Sequence, residues 1–249
     1  MARKLMLITG GSRGIGRATA IAAGRAGYDV AINYRADQAA ADSAAEAVRG
    51  AGGDSAVFAA DMGEADDVAR LFREVEERFG RLDCFVNNAG IVARAARVDQ
   101  LDAPRISRIF AINVVGAFLA AGEAVRRMST AKGGRGGTIV NVSSAAARLA
   151  AANDYVDYAA SKAAIDTLTI GLSKEVGGEG IRVNAIRPGL IETDIHADIG
   201  DPDRPRKLAA GVPMQRPGTA DECADLILYL ASDAASYVNG AIIDVTGGR

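Results

Sequence analysis

Short apolar runs alternate with longer amphipathic stretches along most of this 249-residue chain. The apolar runs are rich in Val and Ile at successive positions, which is typical of strands buried on both faces of a parallel sheet. The stretches between them are long enough to form helices. This alternation predicts a doubly wound α/β fold, in which helices carry the chain from one parallel strand to the next.

The pattern predicts seven strands joined mainly by helices. The strands are expected at residues 5–9, 29–34, 55–60, 82–87, 138–142, 181–186 and 241–244. Helices are expected up to about residue 26 and at 37–49, 64–79, 103–128, 155–176 and 221–232. Neither a linker nor a repeat interrupts the sequence. Residues 1–249 are therefore expected to form a single Rossmann-type domain with a seven-stranded parallel sheet flanked by helices.

Glycines punctuate the junction between the first strand and the first helix, where residues 9–16 read Thr-Gly-Gly-Ser-Arg-Gly-Ile-Gly. Glycine permits a tight turn there and lets the backbone approach a pyrophosphate bound at the helix N-terminus. The spacing differs from the GxGxxG of two-domain dehydrogenases. Its position between a strand and a helix nevertheless predicts a dinucleotide site at Gly10, Ser12, Arg13, Gly14, Ile15 and Gly16.

The end of the second strand indicates which dinucleotide is bound. An acidic residue there would hold the ribose 2′-hydroxyl of NAD, whereas arginine accommodates the 2′-phosphate of NADP. This strand ends in Asn33, Tyr34 and Arg35, without an acid, and Arg13 is expected on the same edge of the site. Two guanidinium groups suit a phosphate, so NADP(H) is predicted in preference to NAD(H).

Tyr158 and Lys162 are four residues apart in a predicted helix, so their side chains lie on one face. A positive charge near a phenol favours the phenolate and lowers its pKa toward the range useful for acid–base catalysis. Ser144 ends the fifth strand, and Asn113 lies within the preceding long helix, where asparagine is unfavourable and either caps a kink or does polar work. Because Ser143 and Ser144 are neighbours on a strand, only one can face the site.

Taken together, these residues resemble the short-chain dehydrogenases/reductases of the standard-length type, and the resemblance covers essentially the whole chain. The matching positions, in the order of the family, are Thr9 to Gly16, Asp61, Asn87 to Gly90, Asn113, Ser144, Tyr158, Lys162, Asn184, Pro188, Gly189 and Thr193.

The resemblance implies catalytic roles for four residues. Tyr158 would be the general acid in carbonyl reduction and the base in alcohol oxidation. Ser144 would hydrogen-bond the carbonyl oxygen where negative charge develops. Lys162 would bind the nicotinamide ribose and lower the pKa of Tyr158, and Asn113 would hold a water that links Lys162 to solvent.

The resemblance also implies the cofactor contacts. Thr193 and the Ile191 backbone would bind the nicotinamide carboxamide, and Asp61 would lie at the adenine. The implied set beyond the glycine loop is Tyr34, Arg35, Asp61, Met62, Asn88, Ala89, Gly90, Tyr158, Lys162, Pro188, Gly189, Ile191 and Thr193.

A long irregular stretch at about residues 190–218 is expected to be the substrate loop. Tyr155 has no lysine one turn on and is expected to line the substrate pocket. His196, the one histidine, is expected to be solvated rather than catalytic.

Composition excludes several other partners. The net charge of −2 gives no basic field for nucleic acid. Cys84 and Cys223 form no CxxC pair, so no zinc site or disulfide framework is expected, and reduced thiols suit the cytoplasm. The apolar run near the N-terminus is too short for a signal peptide or a membrane span, so no membrane partner is expected. The resemblance suggests a homotetramer.

The leading interpretation is an NADPH-dependent reductase of a ketone or a 3-oxoacyl thioester. The alternative is a sugar or polyol dehydrogenase, because residues 33–35 resemble glucose dehydrogenases of this family as well as its 3-oxoacyl-[acyl-carrier-protein] reductases. A non-catalytic, nucleotide-sensing member is a distant third, since such proteins often lack the Tyr or the Lys. The substrate itself and the direction of reaction in the cell do not follow from the sequence.

Overall fold

The computed structural model describes residues 3–249, and its strands form one parallel sheet in the order β3-β2-β1-β4-β5-β6-β7. Each pairing within the sheet is parallel, as the apolar pattern predicts. The strands are β1 (Leu5–Ile8), β2 (Asp29–Tyr34), β3 (Ser55–Ala59), β4 (Cys84–Asn87), β5 (Gly137–Val142), β6 (Ile181–Pro188) and β7 (Ile242–Val245). The prediction of a seven-stranded parallel sheet flanked by helices is confirmed.

The helices connect successive strands and cover both faces of the sheet. They are α1 (Gly14–Arg25), α2 (Gln38–Gly50), α3 (Ala65–Phe79), α4 (Ala103–Phe110), α5 (Ala117–Met128), α6 (Ala146–Leu149), α7 (Val156–Val176), α8 (Ile195–Asp198), α9 (Arg204–Lys207) and α10 (Ala220–Ala231). Short 3₁₀ turns at Val98–Gln100, Thr130–Lys132, Gly177–Glu179, Ala209–Gly211 and Asp233–Ala235 complete the connections. The short helices α6, α8 and α9 were not predicted, because four-residue helices are too short to show a periodic pattern.

Residues of β1 show how the sheet divides the core. Met6 and Ile8 pack on the side covered by α1 and α10, whereas Leu5 and Leu7 pack on the side that holds Phe72 and other residues of α3 and α5. Successive side chains of a strand point to opposite faces, so an apolar residue at every position of β1 supplies both layers. This burial explains why the strands read as continuous apolar runs.

The predicted helix at 103–128 is interrupted by a π-helical segment, Ala111–Gly116, between α4 and α5. Asn113 lies in this segment, where an unfavourable mid-helix asparagine had indicated polar work. By length and composition, Ala103–Met128 could cross a membrane, which departs from the expectation that no segment supports one. Its inner face, however, packs on the sheet through buried residues such as Ala120, Ala124 and Met128.

The strand order reverses between β1 and β4. The connections that leave the carboxyl ends of these two strands therefore run in opposite directions along the sheet. A crevice at the carboxyl ends of the strands forms at such a switch point. Asn87 holds the neighbouring strands together, since its Nδ2 donates to Asn141 Oδ1 at 3.1 Å and to the Ala117 carbonyl at 3.1 Å. The fold therefore places the predicted glycine loop and the Tyr–Lys helix at the rim of one crevice.

Candidate functional site

A cavity of about 590 Å³ opens at the carboxyl ends of the strands. Its wall brings together nearly all the residues that the sequence analysis assigned to the cofactor or to catalysis. These are Gly10, Ser12, Arg13, Gly14, Ile15, Tyr34, Arg35, Asp61, Met62, Asn88, Ala89, Gly90, Ser144, Tyr158, Lys162, Pro188, Gly189, Ile191 and Thr193. Gly16 and Asn113 are the two assigned residues that lie behind the wall.

The glycine loop has backbone conformations and close approaches that require glycine. Gly10 and Gly14 have φ of +63° and +54°, which favours glycine over residues with a Cβ. A Cβ on Gly16 would overlap the carbonyl oxygen of Gly10. Gly16 thus allows α1 to begin directly against the loop, with its N-terminus toward the cavity.

Side-chain amides from the neighbouring strands hold this loop from both sides. Asn33 Oδ1 accepts from the Gly10 N–H at 3.2 Å, and Asn88 Nδ2 donates to the carbonyls of Thr9 at 2.8 Å and Gly10 at 3.1 Å. The Thr9 hydroxyl accepts from the Asn88 N–H at 3.0 Å. No role was predicted for Asn33. Its position at the end of β2, just before Tyr34, is the sequence feature that places it next to the glycine loop.

Arg35 lies at the rim of the cavity, just after β2, and is exposed. No acidic residue ends that strand. Arg13 was expected to converge with it. Instead, the guanidinium of Arg13 forms a two-pronged ion pair with Asp198 of α8, with Nη1 3.1 Å from Oδ1 and a second, shorter contact between Nη2 and Oδ2. Nearby, Asp61 accepts from Arg108 Nη2 at 2.5 Å and from the Gly63 N–H at 2.8 Å.

The two adjacent serines follow the end of β5 rather than lying on it, and their hydroxyls bond different partners. Ser143 is buried and its hydroxyl donates to the Lys162 carbonyl at 3.1 Å, so it anchors α7 to β5. Both serines line the cavity, but the Ser144 hydroxyl accepts from the Ala146 N–H at 3.1 Å and faces the Tyr158 side chain, whose pKa it lowers. Ser144 is therefore the serine that faces the site.

Lys162 is buried one turn along α7 from Tyr158. Its Nζ donates to the Val142 carbonyl at 2.8 Å and lies 5.8 Å from the centroid of the Tyr158 ring. Burial lowers the pKa of Lys162 to about 8, and the negative charge of Asp166 acts in the opposite direction. The lysine thus remains largely protonated at neutral pH while lying against the catalytic tyrosine candidate.

The pKa of Tyr158 moves in the direction opposite to the predicted one. Burial raises it to about 12, and the hydrogen bond with Ser144 only partly offsets this effect. Lys162 was expected to lower it, but its ammonium is directed at the Val142 carbonyl. In the protein by itself, Tyr158 consequently holds its proton throughout the neutral range.

Asn113 is buried in the π-helical segment and uses its side chain on neighbouring elements. Nδ2 donates to the Ile91 carbonyl at 2.9 Å and to Ser161 Oγ at 3.0 Å, and Oδ1 accepts from the Ile91 N–H at 2.8 Å. These bonds fix the segment after β4 against α7. The water-holding role that the resemblance implies for Asn113 stays a prediction.

The outer part of the cavity contains side chains whose contacts with one another were not predicted. Tyr155 lines it as expected, with its ring 5.7 Å from that of Tyr158 in an edge-on arrangement. Arg204 of α9 donates to Asp154 Oδ2 at 2.7 Å and to the Tyr155 hydroxyl at 3.3 Å. These partners are about 50 residues apart in sequence, and no local pattern indicates such a pair.

His196 is half-buried on this wall, whereas a solvated side chain was expected. Its Nε2 lies 2.9 Å from the Ile191 carbonyl, and burial lowers the pKa of the imidazole. The neutral ring therefore donates from Nε2 and supports the backbone of the substrate loop near Ile191.

Comparison with known proteins agrees with this geometry. A family model described as Enoyl-(Acyl carrier protein) reductase matches residues 10–249. YgfF of Escherichia coli (strain K12), described as an uncharacterized oxidoreductase, is 49% identical over 245 residues, which cover 98% of this chain and 99% of that protein.

Two solved structures are similar over nearly the whole chain. A short chain dehydrogenase from Burkholderia cenocepacia in complex with NADP has a TM-score of 0.90 at 32% identity, with coverage of 98% of this chain and 97% of that one. The 3-ketoacyl-(acyl-carrier-protein) reductase from Brucella melitensis complexed with NADH has a TM-score of 0.91 at 30% identity, with coverage of 99% and 98%. On this likeness and on the matching family model, the chain belongs to the short-chain dehydrogenase/reductase family of oxidoreductases.

Proposed function

We propose that this protein reduces the carbonyl group of a ketone or a 3-oxoacyl thioester with NADPH. The observation that carries the proposal is the placement of Tyr158, with Ser144 and Lys162 beside it, on the same cavity wall as the glycine loop. A nucleotide bound along the glycine loop would end at this group of three side chains. Their chemistry suits the protonation of an oxygen that gains negative charge.

Each of the three residues has a separate role in the reduction of the carbonyl group. When bound, the reduced nicotinamide supplies the hydride that the carbonyl carbon accepts. Ser144 donates a hydrogen bond to the carbonyl oxygen as it becomes negative, and Tyr158 transfers its proton to that oxygen. The raised pKa of Tyr158 keeps this proton available near pH 7. Lys162, one helical turn away, would bind the hydroxyls of the nicotinamide ribose beside Tyr158.

Arg35 supports NADPH as the reductant. It lies at the cavity rim after β2, where the 2′-phosphate of the adenosine ribose would sit, and no carboxylate ends that strand to bind a 2′-hydroxyl instead. The similar enzymes from Burkholderia cenocepacia and Brucella melitensis were solved with NADP and NADH, respectively. The preference in this chain therefore depends on its own residues.

Replacing Arg35 with alanine is expected to weaken NADPH binding by about 10- to 100-fold while leaving NADH binding nearly unchanged. A hydrogen bond to a charged group contributes about 1.5–3 kcal/mol, and NADH offers no 2′-phosphate to lose. Direct titration of cofactor fluorescence measures both dissociation constants. Equal discrimination between the cofactors in wild type and variant would remove the basis for the NADPH assignment.

The substrate class is tested by supplying the enzyme with NADPH and a panel of ketones, 3-oxoacyl thioesters, sugars and quinones. Loss of NADPH absorbance with a ketone or a 3-oxoacyl thioester is the expected result. The reverse direction is measured with NADP⁺ and the corresponding alcohols and polyols. Turnover confined to sugar or polyol oxidation would replace the proposal with the dehydrogenase alternative.

The proposal includes a homotetrameric assembly. Large apolar side chains are exposed on adjoining helices, namely Val115 and Phe118 at the π-helical segment and α5, and Ile170 on α7. Exposed apolar residues grouped in this way favour association with another protein surface. Light scattering coupled to gel filtration should give four chain masses; a single chain mass would rule the assembly out.

A further inference from the structure

Arg204 is the cation that the substrate loop contributes to the cavity. The loop carries four Arg or Lys side chains, all within the described residues 3–249, and Arg204 is the one of them on the cavity wall. Its side chain is 18% exposed, whereas that of Arg206, also on α9, is 78% exposed. A cation withdrawn from water in this way attracts an anion more strongly than one on the open surface does.

The guanidinium of Arg204 is held in place but is only partly used. Nη2 donates to Asp154 Oδ2 at 2.7 Å and to the Tyr155 hydroxyl at 3.3 Å. Within residues 3–249, Nε and Nη1 form no hydrogen bond, and neither nitrogen is buried. Asp154 therefore fixes the guanidinium and leaves N–H donors for a ligand in the cavity.

The Tyr155 hydroxyl is a second donor beside the guanidinium. Because its oxygen accepts from Arg204, its own proton is directed elsewhere, and that proton has no acceptor within residues 3–249. Tyr155 lines the cavity, and its ring lies 5.7 Å from the ring of Tyr158. Two adjacent donors, one of them charged, suit the two oxygens of a carboxylate.

The positive charge of Arg204 is effective along this wall of the cavity. Burial lowers the pKa of His196, and the guanidinium of Arg204 adds to the effect. Asp154 offsets the charge of Arg204 only in part, because its side chain is 35% exposed and is screened by water more than the guanidinium is. An anionic group of a ligand is therefore attracted to this part of the cavity.

We propose that Arg204 and Tyr155 form a carboxylate-binding subsite, and that the ketone reduced by this protein is an oxo acid whose carboxylate lies a few bonds from its carbonyl group. The inference rests on the proposed function, because it concerns the substrate of Tyr158. The edge-on contact between Tyr155 and Tyr158 places the subsite next to the proton donor. One small molecule can therefore contact both.

The test compares two oxo acids, 3-oxobutanoate and 4-oxopentanoate, with the methyl ester of each as a neutral substrate of the same carbon skeleton. Reduction with NADPH is followed by absorbance. For wild type, kcat/KM is expected to be about 10- to 100-fold higher for at least one acid than for its ester, the range for a hydrogen bond to a charged group. Arg204→Met should abolish this preference, mainly through KM for the acid, and Arg204→Lys should keep part of it because it keeps the charge.

Arg206→Met is the matched control, since it removes an exposed guanidinium of the same short helix that pairs with Glu192. It should leave the preference for the acid at the wild-type value. Wild-type protein that reduces esters or other neutral ketones without preferring either acid would overturn the inference and leave the proposed function standing. An Arg204→Met enzyme that is slowed equally with acid and ester would also overturn it, because Arg204 would then act only through the structure of the loop. Wild-type protein that reduces no ketone or 3-oxoacyl thioester would instead defeat the proposed function, and the inference with it.

Discussion

Replacing Tyr158 with phenylalanine is expected to lower kcat for carbonyl reduction by about 10²- to 10⁴-fold, the usual contribution of a positioned general acid. The substitution removes only the hydroxyl that hydrogen-bonds with Ser144. The ring, which packs edge-on against Tyr155, is kept. NADPH should therefore still bind with a dissociation constant close to that of wild type, as measured by fluorescence titration.

Tyr155→Phe is the matched control for this experiment. Its hydroxyl accepts from Arg204 rather than from Ser144, and it has no lysine one turn along the helix. Its loss should change KM for the carbonyl substrate more than kcat, because the contact shapes the outer cavity. A Tyr158→Phe enzyme with near-wild-type kcat, or a Tyr155→Phe enzyme with the larger loss, would show that Tyr158 is not the proton donor.

Replacing Gly116 with alanine is expected to destabilise the fold by about 2–3 kcal/mol, near the upper end for overpacking a filled interior. A Cβ at this position would overlap the carbonyl oxygen of Met62. The Met62 carbonyl belongs to the backbone, so it cannot move aside by changing a rotamer. Met62 also lines the cavity, and the displaced backbone should weaken cofactor binding at the same time.

Gly122 in α5 provides the matched glycine for this prediction. A Cβ there would meet only the guanidinium of Arg126, at 3.6 Å, which is ordinary contact with a flexible side chain. Gly122→Ala should thus be neutral or should stabilise the helix by up to about 1 kcal/mol. Urea unfolding at one fixed protein concentration measures both variants. A Gly116→Ala protein as stable as Gly122→Ala would contradict the assigned close approach.

The sequence predicted the sheet well because a parallel sheet covered on both faces requires apolar residues at successive strand positions. The unfavourable position of Asn113 indicated a kink or polar work in the helix at 103–128, but the local pattern does not distinguish a π-helical segment from other interruptions. β6 also continues to Pro188, beyond the predicted end at residue 186. That extension depends on pairing with Val245 of β7, a contact that no local pattern encodes.

For the candidate site, the local spacing of residues predicted which side chains share the cavity wall. Ion pairs between residues distant in sequence could not be predicted. The i,i+4 relation of Tyr158 and Lys162 and the strand position of Ser144 brought these groups to one wall. The pKa of Tyr158 is raised rather than lowered, because burial dominates and the Lys162 ammonium is directed at the Val142 carbonyl. Likewise, no local pattern indicates the ion pair of Arg13 with Asp198, which lies 185 residues away in the sequence.

The amides of Asn33 and Asn88 have a consequence for how a dinucleotide associates with this protein. They hold the turn after β1 in its final conformation through bonds made entirely within the protein. The conformational entropy lost in shaping that turn is therefore spent during folding, and little of it opposes ligand association. The glycine loop is therefore a preorganised part of the groove before any ligand arrives.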